Sequence, residues 1–559
     1  MGRLQPLVLR GMHAGYGASL KPAWRRFEAA ASDPQDAQAS RLRAILRDNA
    51  RTSFGRDHGF DRIDSVKAFQ SRVPIHRFDQ MSPWVQRIAE GEPNVLTHQP
   101  VCRMEATSGS TSPNKLIPFT AGVLDEIAAA THPWLFDLLH RCPGLAGTRS
   151  YWAISPVTRT RQHTPGGIPI GVEDDTAYFG PLGRWILGTM MAVPQTIARI
   201  PDVRRWRSET CEHLMAAEDL GLISVWSPTF ATRLMETIEQ DLEDLLARID
   251  PRRATRIRRS LDEHHGDLTG EVLWPHLALL SSWVDGPSRA FLPSLRRFFP
   301  KTPIQPKGLL ATEGVVSFPL WGVEGSVLAV AGHFLEFLDV DHPGHPPMLA
   351  HELREGALVS PLLTTSAGLY RYHLQDQVQC VGRYRSTPCI RFESRLDCVS
   401  DLTGEKLDAR VVGRAIEEGV QSTGGDWRFA MLAPELGSPP SYHLYLESSL
   451  SQPNEEGARE MAQRVEDALL QGVHYAYCRK LGQLGPVQAV QVVDGVRALE
   501  RRRTLEGGRL GELKPTPLDR RTGWMEFFQH EGRLVVGPDE VRDHENLAGP
   551  AAGVFPGQR

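Results

Sequence analysis

At 559 residues the chain exceeds what one compact core supports and is expected to fold as two or more domains. Apolar residues make up 41% and charged residues 23%, ordinary for a soluble globular protein, and the net charge of −4 gives no electrostatic case for nucleic acid or an anionic membrane. No uninterrupted apolar run of ~18 residues occurs, so no membrane span is expected.

Met1 to Leu20 scatters arginines, glycines and polar residues where a secretory signal needs an apolar centre, which points to the cytoplasm. Seven cysteines, odd in number and without a CxxC pair, argue against a disulfide framework or a zinc site. The pattern is helical from Pro22 to Asp48, a loop from Ser53 to Phe60 and a short helix from Val66 to Phe69. Val95-Leu96 and Val101 to Met104 read as short strands before the stretch Thr107-Ser108-Gly109-Ser110-Thr111-Ser112-Pro113-Asn114-Lys115. Small hydroxylated residues closed by a lysine suit a polyphosphate, because hydroxyls and backbone N–H groups donate while the ammonium supplies charge. Taken alone, the same stretch also suits an ordinary Ser/Thr/Gly turn.

Beyond it, Thr120 is placed to cap a helix from Val123 to Leu139 that Pro133 should kink or divide. Tyr151 to Ile154 and Ile223 to Trp226 read as strands, Phe230 to Ile249 as one long amphipathic helix, and Pro275 to Leu280 with Trp283 as a further helical element. The basic run Arg252 to Arg259 reads as a solvated helix face, and His264-His265 as a surface loop. Gly308 to Gly314 runs from an apolar strand into a turn whose Thr312-Glu313 pair offers a hydroxyl for a phosphate and a carboxylate for Mg²⁺, or is simply a turn. His333 to Val340 alternates as a strand, and His342, His345 and His351 follow in a Pro/Gly loop where a metal is possible but undemanded.

Leu362 to Thr365 and Leu369 to Asp376 read as paired strands, and the Asp376 carboxylate suits a ribose diol, the alternative being a structural Asp beside Arg371. Composition turns basic and polar from Gly382 to Leu407, including Arg395, with a linker or hinge at Asp397 to Asp401. A helix from Asp408 to Gln421, two strands, a helix from Glu455 to Leu470 and a strand from Val487 to Val493 then suggest a small α+β domain.

Together these stretches resemble the adenylate-forming superfamily, and within it the auxin-responsive Gretchen Hagen family of acyl acid amido synthetases. Thr107 to Lys115 is similar to the superfamily's phosphate loop T-S-G-S/T-T-G-x-P-K, with Ser112 where glycine is usual and Pro113-Asn114 in place of x-Pro. Thr312-Glu313 resembles the second motif, with Leu309-Leu310 for its Tyr-Gly, and Tyr370-Arg371-Tyr372 with Asp376 resembles the third, Y-R-Y-x-x-G-D, with Gln375 for glycine. Asn49 to Phe60, Phe69 to Ile75, Gly91 to Thr97, Leu273-Trp274-Pro275 with Trp283, His474 to Tyr477 and Lys514-Pro515 resemble patterns of the narrower family.

The resemblance implies an α/β protein: a large N-terminal adenylation domain, residues 1–396, and a smaller, mobile α+β C-terminal domain, residues 397–559, with the active site between them. It implies an ATP- and Mg²⁺-dependent ligase, a monomer whose partners are small molecules, an acyl acid and an amine that is expected to be an amino acid. Ser108, Gly109, Ser110, Thr111 and Lys115 would cradle phosphates and Thr312 the α-phosphate. Glu313 would hold Mg²⁺, and Tyr370, Asp376 and Arg395 would meet the nucleotide, with Asp376 on the ribose. Lys406 and Lys514 are the candidate catalytic lysines. Transfer to coenzyme A instead of an amine, or nucleotide binding without catalysis, are the alternatives; a serine hydrolase is disfavoured because no G-x-S-x-G occurs.

Overall fold

The computed structural model describes residues 5–106, 115–153, 162–171, 188–200, 202–396, 399–424, 427–449, 454–505 and 516–536. Where one helix was expected from Pro22 to Asp48, there are two, α1 (Gln5–Ser32) and α2 (Pro34–Asn49). Asp33 ends one and caps the other, accepting from Asp36 N, while Pro34 occupies the first turn, where its missing N–H does no harm. α3 (Phe78–Ala89) leads to β1 (Arg103–Ala106), which pairs antiparallel with β2 (Leu116–Phe119); the expected phosphate loop lies between them, and its residues 107–114 fall outside the described residues. Val95-Leu96 is not strand, although both residues are buried.

α4 (Ala121–Arg141) starts at Thr120, whose hydroxyl accepts from Val123 N at 3.2 Å. It runs unbroken through Pro133, because Val123, Ile127, Ala130, Trp134 and Leu138 bury one continuous stripe that outweighs a lost hydrogen bond. β3 (Arg149–Trp152), β4 (Leu220–Ser224), β5 (Leu279–Ser281) and β6 (Ile304–Gln305) then form a parallel sheet in that order. Each face is covered: Leu222 and Leu279 join the core shared with α4, while Ile223 and Leu280 join a second core with Trp206, Phe230 and Trp274. The stretch read as helix at Pro275 to Leu280 is in fact the approach to β5, a short apolar run whose period does not separate strand from helix. The long helix expected from Phe230 to Ile249 divides at Asp241 into α5 (Pro228–Gln240) and α6 (Leu242–Arg248).

A two-stranded hairpin, β7 (Leu310–Ala311) and β8 (Gly314–Val315), leads into an eight-stranded antiparallel sheet. Its strands are β9 (Ser317–Pro319), β10 (Ser326–Leu328), β11 (Phe334–Asp339), β12 (Met348–Leu349), β13 (Leu358–Thr364), β14 (Tyr372–His373), β15 (Asp376–Tyr384) and β16 (Thr387–Arg395). They are ordered β9-β10-β16-β15-β13-β11-β12, with β14 on β13. The sequence from Gly382 to Leu407 is basic and polar, with arginines at 383, 385, 391 and 395, and shows no strand pattern up to the hinge expected at Asp397 to Asp401. Up to Arg395 it is the β15–β16 hairpin, with Cys380, Cys389 and Ile390 buried.

The chain beyond residue 399 begins with the short pair β17 (Val399–Ser400) and β18 (Leu407–Asp408). α7 (Ala409–Thr423), β19 (Trp427–Glu435), β20 (Ser441–Ser448), α8 (Glu455–Leu469), β21 (Gln488–Val492), α9 (Gly495–Leu505) and β22 (Leu534–Val536) follow. The sheet order is β19-β20-β21-β22, with β20 and β21 parallel across α8. One face packs on α7 and α8, and the other packs on α9 and on Phe291 of the preceding region. The mixed α/β class expected from the sequence is the observed one. No described helix is long and apolar enough to cross a membrane.

Candidate active site

The β7–β8 turn presents Thr312 and Glu313. Gly314 makes that turn possible, since a Cβ there would come within 2.5 Å of Leu363 Cδ2 and 2.6 Å of His333 Nε2. Tyr372, buried on β14, donates its hydroxyl to Glu313 Oε1 at 3.3 Å. Asp376 opens β15 directly opposite Arg395, the last residue of β16, and Arg395 Nε lies 3.8 Å from Asp376 Oδ1. Burial pushes the Glu313 carboxyl above its usual range, the Asp376 charge pushes it further, and Arg395 and Lys115 oppose both. Four expected site residues that are far apart in sequence therefore act on one another electrostatically. Lys115 sits at the entry to β2 with Nζ 5.6 Å over the Phe78 ring.

The third-motif loop is held from the N-terminal side. Tyr370 is fully buried, stacks on Phe54 with centroids 4.7 Å apart and donates its hydroxyl to Leu96 O at 2.6 Å. Expected at the nucleotide, its side chain instead serves the core. Arg371 forms a two-pronged pair with Glu336 at 3.0 Å and donates to the carbonyls of Gln70 and Val73. Its carboxylate partner is thus Glu336 and not Asp376. His76 N donates to Arg371 O, and His373 N donates to His76 O. The stretches Asn49 to Phe60 and Phe69 to Ile75 are the braces of this loop. Gln375, where the motif has glycine, has φ 64 and so keeps the left-handed conformation that glycine supplies without strain.

Glu405 is buried and accepts from Leu402 N, Thr403 N and the Tyr442 hydroxyl. That network folds the β17–β18 connection so that Lys406, at φ 47, is exposed. Ser108, Gly109, Ser110, Thr111 and Lys514 lie outside the described residues. A cavity of about 230 Å³ between α2 and α4, lined by Arg41, Asn49, His98, Asp125 and Glu126, contains none of the expected residues. His342 and His345 approach Asp339 so that one ligand atom of each lies within 4.8 Å of the others, without His351. Sequence reasoning missed Lys307, which is buried after β6 and donates to Ser224 Oγ at 2.6 Å.

Residues 23–250 match the GH3 family N-terminal domain, 326–395 its central domain and 411–521 its C-terminal domain. A probable indole-3-acetic acid-amido synthetase of Oryza sativa subsp. japonica is 24% identical over 477 residues, covering 72% of this chain and 76% of the relative. A jasmonoyl–L-amino acid synthetase of the same subspecies is 24% identical over 533 residues, covering 83% and 88%. Among solved structures, the acyl acid amido synthetase AtGH3.15 in complex with 2,4-DB superposes with a TM-score of 0.82 at 19% identity, covering 93% of this chain and 97% of that one. A 2-hydroxyisobutyryl-CoA ligase superposes at 0.51 and 12% identity, covering 88% and 90%.

Proposed function

The chain belongs to the GH3 family, and from that premise we propose that it is an ATP-dependent acyl acid amido synthetase. The observation that carries the reading is the cluster of Lys115, Glu313, Tyr372, Asp376 and Arg395. It gathers both charge signs at the places where the family's nucleotide motifs fall. An acid carboxylate attacks the α-phosphorus of ATP and pyrophosphate leaves; an amine, an amino acid in this proposal, then attacks the acyl-adenylate to give an amide and AMP. The first step brings anion to anion, so positioning and charge neutralisation must lower its barrier.

Ser108, Gly109, Ser110, Thr111 and Lys115 would hold phosphates, Thr312 the α-phosphate and Asp376 the ribose, with Arg395 alongside. Glu313 fits a hard cation: it is an oxygen donor raised by burial and by a neighbouring carboxylate, with no ion pair of its own among the described residues. It would hold Mg²⁺, which supplies charge neutralisation to phosphate oxygens when bound. We further propose that residues 1–396 act as the adenylation domain and 397–559 as a mobile domain. That domain would bring Lys406 and Lys514 to the site in different half-reactions, in the cytoplasm and as a monomer. Product analysis of the full chain with ATP, an acid panel, and either amino acids or coenzyme A tests this. Amide and AMP are expected, and a thioester would overturn the choice of acceptor.

A further inference from the structure

The four parallel strands end in a single polar row. Trp152, Ser224, Ser281 and Gln305 are in register at the carboxyl ends of β3, β4, β5 and β6. By alternation they share the face of Leu222 and Leu279, which looks toward α4, and there Trp134 Nε1 donates to Gln305 Oε1 at 3.0 Å. Lys307, two residues past Gln305, is 4% exposed. Its Nζ lies 2.6 Å from Ser224 Oγ and 5.6, 5.6 and 5.2 Å from the ring centroids of Trp134, Trp152 and Trp226. Those are cation–π distances to three indoles.

What this ammonium lacks is a counter-charge, because no carboxylate pairs with it among the described residues. Burial alone pushes it down, to about 7. Beside it, Ser281 Oγ and Gln305 Nε2 are buried and have no hydrogen-bond partner among the described residues. Buried polar atoms are normally paired, and three under-satisfied groups in one row are the mark of a group supplied from outside the chain. The carboxyl ends of parallel strands are where α/β sheets receive ligands.

We propose that this row is the far end of the acyl-acid pocket, and that Lys307 with Ser281 and Gln305 selects flat acids carrying a second oxygen acceptor remote from the reacting carboxyl. The indoles supply flat apolar walls, and the ammonium, hydroxyl and amide supply donors for that acceptor. The inference rests on the amido synthetase reading for the place of the reacting carboxyl, near Thr312. Thr312 follows Lys307 by five residues, at most ~17 Å at ~3.3 Å per residue and less with the left-handed Gly308 between them, a span that admits a fused two-ring acid. Gly308 sets the start of that span: its φ is +77, and a Cβ there would fall 2.4 Å from Ser317 O.

The test is calorimetric titration of the full chain with naphthalene-2-carboxylate, 6-hydroxynaphthalene-2-carboxylate and naphthalene-2,6-dicarboxylate, alongside pyrophosphate exchange with the same acids. The acceptor-bearing acids are expected to bind about tenfold or more tightly than the plain acid, as for hydrogen bonds to a charged donor. Lys307→Met should erase that ratio while changing the plain acid's affinity by less than about threefold, and Ser281→Ala should reduce it. A wild-type ratio near one, the same ratio in Lys307→Met as in wild type, or no binding by any of the three overturns the inference. Exchange without selectivity refutes the row and leaves the synthetase reading standing. Selective binding with no exchange for any acid refutes the synthetase reading and leaves the row standing.

Discussion

Two regions of the same lobe bury charge in opposite ways. Around Arg371, each guanidinium nitrogen is answered: Nε and Nη2 donate to the two Glu336 oxygens, and Nη1 donates to the Gln70 and Val73 carbonyls. Around Lys307, among the described residues, one serine oxygen and three ring faces meet the ammonium, and two neighbouring polar atoms have no hydrogen-bond partner. The first arrangement shapes the loop that delivers Asp376, and the second is complete only with something bound. On this account the answered charge serves the fold and the unanswered one a ligand.

That comparison breaks first at Arg371. Arg371→Ala leaves Glu336 buried without its partner and should destabilise the fold by about 3–5 kcal/mol, read from denaturant melts. If stability is unchanged, the loop is not held as described. Lys307→Met should have the opposite sign. The folded-state value near 7 lies below the ordinary 10.5, so between these the unfolded chain binds more protons and stability rises with pH. The penalty is full below about 7, and its removal should stabilise the protein by roughly 4 kcal/mol at neutral pH and by little near pH 10. A Tm gain that does not shrink with rising pH would contradict this.

Smaller effects sharpen the contrast. Asp376→Ala and Lys115→Ala should each cost about tenfold to a hundredfold in kcat/KM for ATP with little change in Tm, because the proposed site gives each group to the nucleotide. Binding of the dicarboxylate should weaken from pH 6 to 8 as the free Lys307 ammonium is lost. Trp134, Trp152, Ser224, Trp226, Ser281 and Gln305 around it do not titrate in that range. Smallest of all, Tyr372→Phe should lower activity by less than tenfold, because its hydroxyl reaches Glu313 at 3.3 Å and not the ligand directly.

The residues that were legible in the sequence are those whose chemistry lies in short local patterns. Thr312-Glu313 and Asp376 could be proposed from such patterns, and the structure sets Glu313 against Tyr372 and within the field of Asp376. A motif says which residues travel together, not which of them faces the core, and Tyr370 of the third motif is fully buried. The polar row was invisible because Trp152, Ser224, Ser281 and Gln305 become neighbours only through strand register. The β15–β16 hairpin was hidden by arginines on its accessible positions, and β5 by a run too short to show a period.

The central claim, that the charged cluster at Glu313 and Asp376 adenylates an acid, is tested most directly by ATP–pyrophosphate exchange in the full chain. The account predicts exchange that depends on added carboxylic acid and collapses in Lys115→Ala. ATP binding with no acid-dependent exchange across a broad acid panel would contradict it and leave a nucleotide-binding protein without this chemistry.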